Sequence, residues 1–263
     1  KRYYAATIEG FGRLMREKGA GHCHFYEMIF AKDPCWAYFD LEFARTDAAP
    51  AALDAPSPPP ALNADVNGDV MTSIVYRAAK ELIEARWRAQ DAPPPSKSLF
   101  FQSVALDSHR PDKFSRHLII KVYIHDTASE EPKTRPLPLI SNSHAGSLAR
   151  AIVAKAGDKL KVQKKPPNDA AAPEFTSFVD TAVYSTSRAF RTIGSSKEGK
   201  PEVLEIHPGY TTATLAAGDH ASRLRFTLVC PPAEELKTWS GDLLVFPPHG
   251  AAPATAPPAR SAA

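Results

Sequence analysis

The run Trp36-Ala-Tyr-Phe-Asp-Leu-Glu-Phe43 sets two carboxylates into an otherwise apolar, aromatic stretch. Side chains alternate faces along a strand, so Tyr38, Asp40 and Glu42 share one face while Phe39, Leu41 and Phe43 share the other. The apolar face commits this strand to a core. The opposite face then carries two acids roughly 6 to 7 Å apart along the strand, within reach of one divalent cation or a pair of them. Taken alone, Asp-x-Glu is also what the wet face of any half-buried strand can carry.

Two further segments sharpen the reading. In Lys113-Phe-Ser-Arg-His-Leu-Ile-Ile120, Lys113, Ser115 and His117 fall on one face at steps of two, with Phe114, Leu118 and Ile120 on the other. A cation, a hydroxyl and an imidazole in a row suit phosphate oxygens. Phe178-Val-Asp180 ends a short apolar run on a third carboxylate and is followed by Arg188, Arg191 and Lys197. Three acids with such a basic set are what two-metal phosphoryl or nucleotidyl transfer uses. The acids hold cations that activate an attacking oxygen and stabilise the leaving pyrophosphate, and the basic groups orient the triphosphate.

In order and spacing, Asp40-Leu-Glu42, Ser115-Arg-His117, and Phe178-Val-Asp180 with Val183-Tyr, Arg188-Ala-Phe-Arg191 and Ser195-Ser-Lys197 resemble the three motifs of the archaeo-eukaryotic primase superfamily. The match is closest to its eukaryotic primase-polymerase (PrimPol) branch. His24-Phe-Tyr-Glu27, with Cys35 before the first acids, resembles the lead-in of that branch. The similarity covers about residues 1 to 230. It implies that Asp40, Glu42 and Asp180 bind metal, Mn²⁺ or Mg²⁺, and that Lys113, Ser115 and His117 contact the incoming nucleotide. It further implies that Arg188, Arg191 and Lys197 handle the triphosphate or the template. Ala189 departs from the branch, which carries Asn there, and so does Thr181-Ala182, where close relatives carry Leu-Gly. The fold so implied is α/β (α+β): two mixed modules, the carboxylates on a sheet resembling an RNA-recognition motif, and a cleft between them for template, primer and nucleotide.

The chain has 263 residues, 43% hydrophobic and 23% charged, ordinary for a globular protein with one large core or two packed lobes. Its net charge is only +3, so attraction to nucleic acid has to come from local clusters such as the lysines of residues 159–165 rather than from a whole-protein field. Cys23, Cys35 and Cys230 are widely spaced with no Cys-x-x-Cys pair, which points to reduced thiols in an intracellular compartment and against a structural zinc site made by this chain alone. No apolar stretch approaches 18 residues, so no membrane span is expected. The chain opens on Lys1 without a signal-peptide pattern, which reads as an excised segment. The family resemblance implies a nuclear or mitochondrial location.

Thr7 as N-cap and Gly19 as stop bound a helix with Ile8, Phe11, Leu14 and Met15 on one stripe. Strands are expected around His24 to Ile29 and Trp36 to Phe43, then a flexible insertion over residues 45–69, rich in Pro and Ala. A long helix follows from Val70 to about Gln90, capped by Asp69. Strands follow at Leu99 to Leu106 and Phe114 to Ile124, then a Pro-rich connection over residues 127–142. Next come a helix from Gly146 to about Leu160 and a loop over Lys164 to Pro173. Strand candidates lie at Phe178 to Tyr184, Glu202 to Ile206, Leu224 to Val229 and Leu243 to Phe246. Residues 1–246 thus form the catalytic core, and residues 247–263 an Ala/Pro tail that does not fold.

The function these features predict is a template-directed DNA primase and polymerase, a monomer whose partners are DNA template and primer, dNTP or also NTP, and a single-stranded DNA-binding protein. His117 can in principle serve as acid or base, but Lys113 and Ser115 on its face favour nucleotide binding. Primer extension is expected to be readier than de novo priming, since starting a chain needs accessory contacts in place of the duplex. Two other classes fit parts of the pattern: a silent module that holds single-stranded DNA, and a metal-dependent nuclease. Clustered carboxylates argue against the first, and the row of triphosphate-binding cations against the second.

Overall fold

The computed structural model describes residues 5–19, 22–46, 61–128, 133–166, 172–210, 219–236 and 242–247. In chain order its helices are α1 (Ile8–Lys18), α2 (Gly68–Asp91), α3 (Asn142–Ala156), α4 (His220–Thr227) and α5 (Ala233–Leu236). Its strands are β1 (Tyr26–Phe30), β2 (Ala37–Ala44), β3 (Lys97–Asp107), β4 (Lys113–Asp126), β5 (Lys133–Pro136), β6 (Lys161–Gln163), β7 (Phe175–Ser177), β8 (Ser187–Arg191) and β9 (Glu205–Ile206). The architecture is the mixed α+β that the sequence predicts. No helix among the described residues is long and apolar enough to cross a membrane.

A five-stranded sheet organises the molecule, ordered β2-β4-β3-β9, with β5 paired to the far end of β4. All pairings are antiparallel. The fourteen-residue β4 is the spine, and its register sets Asp40 opposite His117 and Glu42 opposite Ser115. The register puts Phe39, Leu41, Phe43, Phe114, Leu118 and Ile120 on one buried face as the sequence predicts, but Tyr38, Ser115 and His117 on the other face are buried as well. On the Phe114 face the chain packs α2, close enough that a Cβ on Gly68 would stand 2.1 Å from the Phe114 ring. Phe43 and Phe114 stack there with centroids 5.1 Å apart. Against the opposite face packs the two-stranded ribbon of β1 and β8, whose Phe190 lies 4.0 Å from the His117 ring and 5.0 Å from Tyr38. The acidic face is therefore covered at its Tyr38 end and opens only toward Glu42.

Local chemistry explains where sequence expectation and structure part. Helix α1 follows the sequence, with Thr7 Oγ1 accepting from the Gly10 N–H and Gly19 ending it at φ 81°. The N-cap of α2 is Asn67, whose Oδ1 accepts from the Asp69 and Val70 amides, and not Asp69. Asp69 instead turns its carboxylate to Arg116. Helix α3 starts four residues earlier than expected, at Asn142, and ends at Ala156 in a 3-10 turn over Gly157–Leu160. The expected strand Leu224 to Val229 is corrected to helix: Asp219 caps α4 by accepting from the Ser222 amide. The expected strand Leu243 to Phe246 reduces to one bridge, Leu139 with Leu244. Glu202 to Ile206 keeps only β9 as strand, with one bridge at Val203. The Pro-rich connection of residues 127–142 contains β5. Of residues 45–69, those numbered 61–67 form turns leading into α2, and those numbered 47–60 lie outside the described residues. The proposed tail beyond residue 247 and the middle of the loop over residues 164–173 also lie outside them.

Candidate active site

The third acid reaches the other two through main-chain pairing. The Glu42 N–H donates to the Phe178 carbonyl at 3.0 Å, and the Asp180 N–H donates to the Asp40 carbonyl at 2.9 Å. Residues 178–180 thereby extend the sheet beyond β2, with Leu41 bridged to Val179. The expected strand does not run on to Tyr184. Asp180 Oδ1 accepts from the Ala182 N–H at 2.8 Å and caps a 3-10 turn over Thr181–Val183. A short polar side chain offers the backbone this alternative to a ladder.

Asp40 lies deepest in the sheet face. Burial pushes its pKa up to about 7, and the neighbouring Glu42 and Asp180 add to the rise. Its Oδ1 is buried without a hydrogen-bond partner. A buried carboxylate beside two others is costly unless a cation shares the site or a proton neutralises it. The Glu42 carboxylate is held by Lys113 Nζ at 2.6 Å. Accordingly, among the described residues no three His, Cys, Asp or Glu side chains converge on one point where an ion would sit. The donor set, carboxylate oxygens with one of them unpartnered, fits a hard divalent cation in kind. Closing on it requires Glu42 to turn from Lys113.

The basic residues fall into two groups. Ser115 and His117 are buried beside Asp40, and Ser115 Oγ lies 3.4 Å from Ser108 Oγ. Burial, then the charges of Arg191, Lys197 and Arg188, holds the His117 pKa down to about 3, so the imidazole is neutral. That excludes it as a proton carrier near neutrality. Arg191 is buried too, donating from Nη2 to Ser108 Oγ at 2.6 Å and from Nη1 to the Glu202 carbonyl at 3.2 Å. Its guanidinium braces the site wall. Arg188 Nε is buried without a partner, and Lys197 is exposed. The segment carrying Lys197 is fixed to the start of the chain: the Ser196 N–H donates to the Cys23 carbonyl at 2.8 Å, and His24 Nδ1 lies 3.1 Å from Ser196 Oγ. The structure thus gathers Asp40, Glu42, Asp180, Lys113, Ser115 and His117 on one sheet face, with Arg188, Arg191 and Lys197 near enough to act on His117.

Three sets of contacts were not read from the sequence. Arg116, on the opposite face of β4 and 1% exposed, forks onto Asp107 at 2.6 and 2.8 Å and reaches Asp69 at 2.7 Å. Glu27 accepts from the Val229 and Cys230 amides at 2.8 and 2.7 Å, pinning that segment to β1. Asn63 ties Ala44 to Gln163, donating from Nδ2 to both carbonyls. For Arg116 the available signal is the two-residue alternation, which puts it on the face opposite Ser115 and His117. The other two are long-range contacts with no local signal.

No protein-family model matches the chain. It is similar to the DNA-directed primase/polymerase protein of Mus musculus, 25% identical over 225 residues that cover 70% of this chain and 36% of that protein. It is also similar to the DNA-directed primase/polymerase protein of Homo sapiens, 31% identical over 157 residues, 58% of this chain and 20% of that protein. The chain thus matches about a third or less of the length of these curated relatives. These similarities establish a relationship to primase/polymerase proteins, in agreement with the order of the three motifs.

Proposed function

We propose that the chain is the catalytic part of a template-directed DNA primase and polymerase, adding nucleotides to a primer 3′ hydroxyl on a DNA template. The observation that carries this reading is the pairing of the segment ending at Asp180 with β2 beside Asp40 and Glu42, with Asp40 Oδ1 buried and unpartnered, near Lys113 and under the charges of Arg188, Arg191 and Lys197. The names of the related proteins support the same class of activity.

In this reading Asp40, Glu42 and Asp180 would hold Mn²⁺ or Mg²⁺, which would supply activation of the attacking hydroxyl and charge stabilisation of the departing pyrophosphate. Lys113 leaves Glu42 for the triphosphate, so one movement frees both a metal ligand and a phosphate-binding cation. Ser115 offers a hydroxyl donor. Neutral His117 offers one N–H and accepts no proton from the reaction. Lys197, exposed on a fixed turn, and Arg188 neutralise the triphosphate. Arg191 acts by holding Ser108 and, through it, Ser115.

A silent module that grips single-stranded DNA is the second reading, favoured by the engagement of Glu42 with Lys113 and of Asp180 with its own turn. Primer extension with labelled dNTP, run beside a gel shift on the same template, separates the two. Extension that requires Mn²⁺ or Mg²⁺ is expected. DNA binding with no incorporation in either cation would refute the polymerase reading.

A further inference from the structure

We infer that the hairpin of β6 and β7 is a docking track for single-stranded DNA leading into the candidate site. Which strand it guides depends on the polymerase reading; the docking itself does not. The hairpin is continuous with the acids: the Phe178 N–H donates to the Leu160 carbonyl at 2.7 Å, and two residues later comes Asp180. Asn63 fixes it to the end of β2 with Nδ2 donating to the Ala44 and Gln163 carbonyls at 2.7 and 2.8 Å, and with Oδ1 accepting from the Gln163 N–H at 2.9 Å. Asn63 adopts φ 50° to do so. The left-handed region is unfavourable for a non-glycine residue, and Asn tolerates it better than most. A strained residue that spends all its amide groups on one docking contact marks a relation the fold preserves.

Between hairpin and acids runs an open groove lined by Glu42, Lys113, Gln163, Lys165, Ser177 and Asp180. Its chemistry selects the occupant. Four lysines stand among residues 159–165. Lys161 and Lys164 meet Asp158 and Glu174 at 2.7 and 3.1 Å in exposed pairs, which hold their cations only weakly and yield to phosphate. Lys165 is exposed and has no acidic partner among the described residues. At the loop end of the hairpin Phe175, opposite Gln163, is 65% exposed. A cationic strip beside an exposed ring is the combination that holds a single strand: phosphates along the lysines, a base on the ring. The acids at the other end of the groove are where that strand would have to arrive.

The test is fluorescence anisotropy of a labelled oligothymidylate with the full chain and its Lys165→Glu and Phe175→Ala variants, over a salt series. Both side chains are exposed, so circular dichroism is expected to match. Binding should weaken about tenfold for Phe175→Ala, the loss of one stacked base. For Lys165→Glu it should weaken comparably, with the slope of log affinity against log salt shallower by about 0.7 or more. Wild-type affinity and salt slope in both variants would overturn the inference, and would leave the polymerase reading intact if the wild type still incorporates nucleotide. Weakened binding by both variants, in a chain that incorporates nothing, would uphold the docking track and sink the polymerase reading.

Discussion

Replacing Arg116 with Met removes the guanidinium that forks onto Asp107, leaving the imidazole of His109 at 3.0 Å as its nearest remaining partner among the described residues. Arg116 makes two charge-assisted bonds to Asp107 at 2.6 and 2.8 Å and one to Asp69 at 2.7 Å, while itself 1% exposed. The Asp107 side chain is 16% exposed, so water cannot replace the guanidinium. Removing one partner of a buried pair typically costs about 3–5 kcal/mol, because the other charge stays behind uncompensated. For a chain of this size that lowers the melting temperature by roughly 6–20 °C. Pairing Arg116→Met with Asp107→Leu should restore much of the loss, since an apolar replacement of both partners is often neutral. The pH dependence carries the same signature. Burial alone would raise the Asp107 pKa, but hydrogen bonds from Arg116 and His109 outweigh it and hold the group at about 2. A depressed carboxylate stabilises the fold above its unfolded pKa near 4 and loses that contribution as the pH falls through about 2, here roughly 2 kcal/mol. Arg116→Met should flatten this acid limb. Urea unfolding of wild type, Arg116→Met and the double variant from pH 7 to pH 2 reads both effects. A single-variant loss below about 1 kcal/mol, or an unchanged acid limb, would refute the reasoning.

Gly68→Ala should cost about 1–3 kcal/mol, because its Cβ would fall 2.1 Å from the Phe114 ring that stacks on Phe43; a lower urea midpoint at unchanged slope is the readout. His117→Ala and Lys197→Ala should each raise the KM for dNTP more than they lower kcat, and unchanged KM in both would make these residues structural. Because His117 is already neutral down to about pH 3, the profile of kcat/KM between about pH 5 and 8 should have the same shape in wild type and His117→Ala. An inflection near pH 6.5 lost only in that variant would contradict the neutral assignment.

Legibility followed the range of the forces involved. The helix from Thr7 to Gly19 and the alternation in β2 and β4 could be read because caps and two-residue periodicity are local. The register was not part of that pattern, because a slip of two residues keeps every side chain on its face; the structure supplies it, with Asp40 opposite His117. Asp69 misled because an acid before a helix suits a cap, yet here Arg116, distant in sequence, competes for it and Asn67 caps instead. Leu224 to Val229 looks like a strand by composition, yet Asp219, three residues before Ser222, is a helical start signal that outweighs it. The site residues were legible as types on faces. Their present partners were not: the Lys113 hold on Glu42, the stacking of Phe190 on His117 and the bracing of Ser108 by Arg191 are tertiary contacts. The β6–β7 hairpin was hidden because each strand has three residues and Pro/Ala-rich sequence separates them.

The central claim is that the carboxylate at position 40 belongs to a nucleotidyl-transfer centre. Single-turnover incorporation of one dNTP on a saturating primer-template, in Mn²⁺ and in Mg²⁺, compares wild type with Asp40→Asn. Asn is isosteric and lifts a buried, unpartnered charge, so the variant should be at least as stable as wild type while its incorporation rate falls by about a thousandfold or more. Incorporation by Asp40→Asn within about tenfold of wild type, at matched circular dichroism and matched DNA binding, would contradict the account.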